Sequence, residues 1–246
     1  MLEDDRPRVG YAQHMRPRLL VLDNSGYPLL FREDRAWFRH FRAADITVVN
    51  MPHSKRKPSL DGFTHVLAGG SESSILQPKP WFDREAEILR EAVDRGLPVL
   101  GSCFGHQMLV HALSGAKYIK RSDLPEIGWI TVHKTVDDRL LVDVPSPWRT
   151  MAYHFDEATD LPAPWKVLAH SEACPVQITR YGSKPVWGIQ PHPEISRAKA
   201  RVFLPVYRVF VGKETKRAIC TEAPPTQRDD VASAMAMRFL EHPPAG

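Results

Sequence analysis

The sequence predicts an α/β protein: three layers, with a mostly parallel central sheet flanked by helices and a smaller antiparallel β portion in the second half. Three observations lead there. Short, nearly all-apolar runs such as "RLLVLDN", "THVLAGG" and "LPVL" alternate with amphipathic stretches through the first half, and that rhythm makes right-handed crossovers between parallel strands covered on both faces. Beyond residue 126 the segments turn β-branched and aromatic and are punctuated by turn residues, as antiparallel pairs are. The 246 residues, 43% hydrophobic and 25% charged, suffice for one sizeable core.

Each element has its own warrant. Residues 1–17 are charged and Pro-containing and read as a loose extension; the main domain is expected over 18–212. "RLLVLDN" (18–24) is the first buried strand, "EDRAWFRHFRAA" (33–44) a helix, and "ITVVN" (46–50) and "THVLAGG" (64–70) further strands. In "DREAEILREAVDRG", Ile88, Leu89, Ala92 and Val93 share one helical face, and Gly96 is placed to end the helix. "LPVL" (97–100) is a strand, and "HQMLVHALSG" a helix. In the second half, "GWITVHKT", "KVLAHS", "VQITRY" and "VWGIQ" read as antiparallel strands, the last two joined at "GSKP" (182–185). "SRAKARVFLPVYRVFVG" is a basic amphipathic helix interrupted by Pro205. Residues 213–246 read as a linker and a closing helix, "RDDVASAMAMRFLEH".

Composition excludes several function classes. The net charge of +4 is small and spread along the chain apart from "HSKRK" at 53–57, so a solvated basic surface is expected and no nucleic-acid partner. No window approaches a membrane span, and the N-terminal residues lack a signal-type apolar stretch; a cytoplasmic protein is expected. Cys103, Cys174 and Cys220 form neither a disulfide framework nor a metal-ligand pattern, which points to a reducing compartment and to no metal or other cofactor.

One cysteine has chemistry-bearing surroundings. In "LPVLGSCFGHQ" the thiol of Cys103 sits between a strand and a helix, where ligands gather in parallel α/β sheets. Gly101 and Gly105 lend the turn backbone freedom, as in a nucleophile elbow with cysteine in place of serine. The helix N-terminus favours a thiolate, and the N–H of Phe104 is aimed where an oxyanion would form. A buried structural cysteine fits this stretch equally well. A thiol nucleophile needs a base and the base an orienter. His192 supplies the first, at the end of a strand in "VWGIQPHPEIS", 89 positions beyond Cys103, and Glu194 lies across Pro193 from it. His106 and His111, on the elbow helix, read as packing or surface residues, and Cys174 as a core or edge thiol.

"GSCFGHQ" (101–107) followed by "GIQPHPE" (188–194) resembles the class I, triad-bearing glutamine amidotransferases. "RLLVLDN", the glycine-rich "HVLAGGSESS", "EIGW" at 126–129, and "YHFDEATDLP" with "VLAHSEACPVQ" resemble the remaining segments of that family, nearest to its guanosine-monophosphate-synthetase-type domains. The likeness covers roughly residues 18–205 and implies a flavodoxin-like fold.

The resemblance implies glutamine hydrolysis through a γ-glutamyl thioester on Cys103, with His192 as acid and base and Glu194 orienting it. It implies an oxyanion hole from the N–H groups of Gly70 and Phe104, and substrate contacts from Gln107 and from the main chain at His154 and Phe155. This chain departs from the family pattern at Ser102 before the cysteine, at Gly69-Gly70-Ser71 where a Gly-Gly-Pro loop is common, and at Phe155 where glycine is frequent. No P-loop pattern is present. A separate synthetase subunit is therefore expected to accept the ammonia. The alternative is a self-sufficient hydrolase of γ-glutamyl amides or peptides; a third reading, an idle regulatory subunit, conflicts with the intact triad. A related cysteine-elbow family of small peptidases and chaperone-like proteins places histidine after the cysteine, where this chain has Phe104.

Overall fold

A computed structural model describes residues 16–26, 34–210, 219–220 and 230–244 of the 246. The strands are β1 (Arg18–Asp23), β2 (Asp45–Asn50), β3 (His65–Ala68), β4 (Val99–Ser102), β5 (Ile119–Lys134), β6 (Trp148–Ala158), β7 (Trp165–His170), β8 (Ile178–Tyr181), β9 (Val186–Ile189) and β10 (Ile219–Cys220). The helices are α1 (Asp34–Phe38), α2 (Pro80–Asp94), α3 (Phe104–Ser114), α4 (Arg197–Phe210) and α5 (Asp230–Leu240). Across the sheet the order is β10-β5-β7-β8-β9-β4-β3-β1-β2, with β6 also on β5. From β2 to β9 neighbouring strands run parallel; β9, β8, β7 and β5 pair antiparallel in turn, as does β6 with β5. The expected mixed architecture is therefore present.

Alternation of side chains across the sheet builds two cores from one set of strands. Leu20 and Leu22 of β1, Val66 of β3 and Val99 of β4 face α2 and α3, meeting Phe82, Ile88, Leu89, Phe104 and Met108. Their neighbours Leu19, Val21, Leu67 and Leu100 point the other way, against Trp37 and Phe41 and against Val231, Met235 and Phe239 of α5. A third cluster lies under α4, where Ala200 and Leu204 cover Ile127, Trp129 and Met151.

Several elements differ from the sequence reading. The helix expected over 33–44 is only α1, because residues 40–44 close i→i−3 turns (His40 N–H to Trp37 O, 2.8 Å; Ala44 N–H to Phe41 O, 2.9 Å) that swing Asp45 back beside Pro17. Glu33 of that segment, residues 1–15 of the 1–17 extension and most of the 213–227 linker lie outside the described residues; within the linker, β10 pairs with Ile127 and Gly128 of β5. The α4 helix runs through Pro205 instead of breaking there, at the loss of one backbone hydrogen bond. The strand read at 97–100 begins only at Val99 and runs to Ser102. The sequence reading has no strand over 148–158, where β6 stands. Both faces of β6 are largely covered and its buried positions include Thr150, His154, Asp156 and Glu157, so no polar–apolar alternation marks it. Gly96 does end α2, with φ 70° and Leu97 N–H reaching back to Ala92 O at 2.9 Å.

Candidate active site

Cys103 follows β4 directly and opens α3, and its own backbone carries the strain of the turn, at φ 51°, ψ −108°. A non-glycine residue there costs about 1–3 kcal/mol, and such strain persists only where the surroundings over-determine it. The surroundings are visible: Cys103 N–H donates to Ile189 O at 2.7 Å, and α3 lies hard against the sheet. This corrects the role read for the flanking glycines. Neither Gly101 nor Gly105 is among the positive-φ residues; instead a Cβ on Gly105 would sit 2.1 Å from Ala68 O, and one on Gly101 2.5 Å from Gly105 O. They are there for close approach. Gly188 on β9 plays the same part towards α3, since its Cβ would fall 1.9 Å from Nδ1 of the buried His106, whose proton affinity burial lowers to a pKa of about 3.

Because β4 and β9 are adjacent parallel strands, with Ser102 in register with Ile189, the segment leaving β9 returns to the cysteine. His192, 2% exposed, is held there by its N–H bond to Met151 O at 2.7 Å. Its Nδ1 lies 2.8 Å from Oε1 of the equally buried Glu194, and the ring also interacts electrostatically with Cys103. Burial alone would strip the ring of its proton; the Glu194 carboxylate and the Cys103 sulfur outweigh it and hold His192 well above the ordinary histidine range. Arg39 Nη2 donates to the Glu194 main-chain carbonyl at 2.9 Å, fixing that residue from the α1 side.

A family model for class I glutamine amidotransferases matches residues 36–204. The chain belongs to that family. This amidotransferase is 31% identical over 183 residues to one subunit of a glutamine-hydrolysing GMP synthase from Methanococcus vannielii, covering 74% of this chain and 90% of that one. It is 34% identical to the corresponding GMP synthase subunit from Methanococcus maripaludis, over the same shares. Among solved structures, a glutamine amidotransferase from Thermotoga maritima superposes with a TM-score of 0.72 at 21% identity, over 93% of this chain and all of that one. A GMP synthase subunit from Thermoplasma acidophilum gives 0.63 at 23% identity, over 80% and 98%.

The other residues expected at the site of the amidotransferase surround the elbow or lie on β6. Phe104 begins α3, where first-turn N–H groups have no partner within the helix. Gly70 lies just beyond β3, in a loop tied down by Gly69 N–H to Leu22 O at 2.9 Å. Ser71, in place of the common proline, donates its hydroxyl to Asn24 O at 2.6 Å. Ser102 points away from the thiol and accepts the indole N–H of Trp37 at 3.1 Å, which accounts for a hydroxyl on an otherwise apolar strand. The side chain of Gln107 is buried, donating to Asp156 O at 2.9 Å and to Gln190 Oε1 at 3.2 Å. His154 turns its ring to Oε2 of Glu126 at 2.9 Å. Phe155 packs on Tyr153 and lies beneath the Arg121 guanidinium, 4.7 Å from the ring centre.

Sequence reasoning missed three contributors. Gln190 Nε2 lies 3.7 Å from Sγ of Cys103, and Tyr153 O lies 3.7 Å from the same sulfur. Gln190 was legible in principle, two residues before the histidine of "QPHPE"; Tyr153 acts through its main chain, which leaves no sequence mark. Asp156 accepts from Arg121 at 3.1 Å and from Ser74, tying the glycine-loop segment to β6. Glu126, His154 and Cys174 bring ligand-type atoms within 4.8 Å of one another. Glu126 is already engaged by Ser171 at 2.6 Å, by His154 and by Gln177, and burial pushes the Cys174 thiol up, away from a metal-binding thiolate.

Glu85, fully buried on α2, is hydrogen-bonded to Asn24 at 2.8 Å, and desolvation pushes its carboxyl up to about 8. The folded state thus holds a proton that the unfolded state, with its ordinary value of 4.5, has released. Between pH 4.5 and 8 this contribution to stability falls as pH rises, and below 4.5 it is fully present. Each unit of difference is worth about 1.4 kcal/mol. Glu85→Gln, which cannot ionise, is expected to melt near wild type at pH 5 and several degrees higher at pH 8.5. A melting-temperature difference that stays constant across that range contradicts the assignment.

Proposed function

We propose that this amidotransferase hydrolyses the side-chain amide of glutamine and passes the ammonia to a separate synthetase subunit in the cytoplasm. The observation that carries the reading is the strained Cys103 at the N-terminus of α3, facing a buried His192–Glu194 pair. Transfer of the thiol proton to His192 yields a thiolate and an imidazolium. The sulfur attacks the γ-carbonyl carbon, and the oxyanion is received by the N–H groups of Gly70 and Phe104, each such donor being worth about 3–4 kcal/mol in the transition state. His192 then returns its proton to the amide nitrogen as the C–N bond breaks, releasing ammonia and leaving the γ-glutamyl thioester. Water attacks the thioester while His192 takes its proton; the C–S bond breaks, His192 returns that proton to the sulfur, and glutamate leaves with the free thiol restored. Glu194 keeps the ring in register through both halves.

A separate acceptor is supported by the Methanococcus relatives, each named as one subunit of a synthase, of whose length this chain spans about nine tenths. The test incubates the purified protein with glutamine, alone and with an added synthetase subunit, and with a panel of γ-glutamyl amides and peptides, following glutamate and ammonia. Glutamine is expected to be hydrolysed, faster with the synthetase present, and Cys103→Ala to be inactive. Rapid hydrolysis of a γ-glutamyl peptide with glutamine ignored would instead identify a self-sufficient hydrolase.

A further inference from the structure

The usefulness of Gly70 as an oxyanion donor depends on the orientation of one peptide group. In a trans peptide the carbonyl and the following N–H lie in one plane and point in opposite directions. Whatever holds Gly69 O therefore aims Gly70 N–H. That carbonyl accepts from Asn24 Nδ2 at 3.1 Å, and the same amide nitrogen donates to Glu85 Oε1 at 2.8 Å. Asn24 and Glu85 are both wholly buried, Asn24 just past the end of β1 and Glu85 on α2, so the contact is screened from water. The loop is clamped on either side as well, by Gly69 N–H to Leu22 O at 2.9 Å and by Ser71 Oγ to Asn24 O at 2.6 Å.

We propose that Asn24 and Glu85 are positioning residues that lock the Gly69–Gly70 peptide, so that Gly70 N–H is presented to the oxyanion. The inference rests on the hydrolytic role proposed for Cys103 and adds two residues that touch neither substrate nor sulfur. The chemistry of the pair suits the task. Asn24 spends both amide hydrogens, one on the carbonyl to be held and one on an acceptor that keeps the amide from rotating away. Burial favours the neutral acid at Glu85, so no carboxylate opposes the negative charge forming nearby. Glu85 Oε2 is buried with no hydrogen-bond partner, a place where a neutral acid is less costly than a charged oxygen.

The test compares Asn24→Ala, Asn24→Ser, Glu85→Leu and Glu85→Gln in the full-length protein. Glutaminase kinetics, alkylation of Cys103 by iodoacetamide and crystal structures are the readouts. Asn24→Ala is expected to lower kcat about 100-fold, as loss of an oxyanion donor does, with KM within about threefold and the alkylation rate unchanged, because alkylation needs the thiolate but no oxyanion. Its structure is expected to show the Gly69 carbonyl turned from its wild-type direction. Asn24→Ser serves the same comparison should the alanine variant not fold. Glu85→Leu is expected to follow Asn24→Ala, and Glu85→Gln to retain kcat, since an amide supplies the same acceptor without charge.

A kcat within threefold of wild type in both Asn24 variants overturns the proposal, as does a parallel fall in kcat and alkylation, which would mark general damage to the site. If the wild-type protein leaves glutamine untouched, the hydrolytic reading fails separately. The Gly69 carbonyl in the variant structures then still decides, an unmoved carbonyl overturning the lock.

Discussion

His192→Asn is expected to hydrolyse glutamine on the order of 10⁴-fold more slowly than wild type near neutral pH, with KM little changed. In the proposed cycle the ring serves in both halves, first moving the thiol proton to the departing ammonia and then activating water. Among the described residues, the Gln190 amide and the Tyr153 carbonyl also lie near Sγ, and neither can relay a proton at these pH values. Glu194 and the cysteine hold His192 protonated well past the ordinary histidine range. The wild-type profile of kcat/KM against pH should therefore stay high through neutrality and fall on the alkaline side as the ring loses its proton. In the asparagine variant the residual rate should lack that fall, and iodoacetamide should alkylate Cys103 much more slowly at pH 7. A variant keeping more than a tenth of wild-type turnover would mean that His192 is not the acid and base.

Gly105→Ala, a change of one methyl group, is expected to destabilise the protein by about 3 kcal/mol or more, at the upper end of overpacking penalties. The added carbon would lie 2.1 Å from the carbonyl oxygen of Ala68 and 2.5 Å from its carbon, both backbone atoms of a central strand. No rotamer relieves such a clash, so either α3 lifts from β3 or the sheet bends. For a domain of this size the melting temperature should fall by roughly 10 °C, and because α3 begins at the nucleophile, activity should fall further than stability alone explains. Differential scanning calorimetry decides the first point; a loss under 1 kcal/mol would mean that the helix is not seated as tightly as its glycines indicate.

A sequence displays chemistry that depends on neighbours in the chain and conceals chemistry that depends on distant residues meeting. Cys103, His192 and Glu194 were legible because their chemistry depends on local patterns, a glycine-flanked turn and a His-Pro-Glu triplet, and the structure brings the three together. The strand rhythm of the first half was legible for a similar reason, since buried parallel strands are short apolar runs. What stayed hidden depends on distant residues meeting. Asn24, Gly69 and Glu85 lie on three separate segments, and nothing in any of them announces the other two. Ser102 looked like a departure at the active site until Trp37 was found to be its partner. The pattern of glycines beside Cys103 suggests backbone freedom, but their use is thinness, and the unusual backbone angle belongs to the cysteine.

Cys103 and His192, the proposed nucleophile and base, are 89 positions apart in the chain, yet each follows one of two adjacent strands, β4 and β9, bonded to each other along their length. Strand spacing, about 4.8 Å, thus brings the two chain segments together, the Met151 carbonyl fixes His192 just beyond β9, and the length of what intervenes sets neither. Everything from α3 to β8 is an excursion that departs from and returns to the same seam. Such an arrangement leaves the far parts of the excursion free to change, whereas β6 must keep Met151 beside the seam, because its carbonyl holds His192.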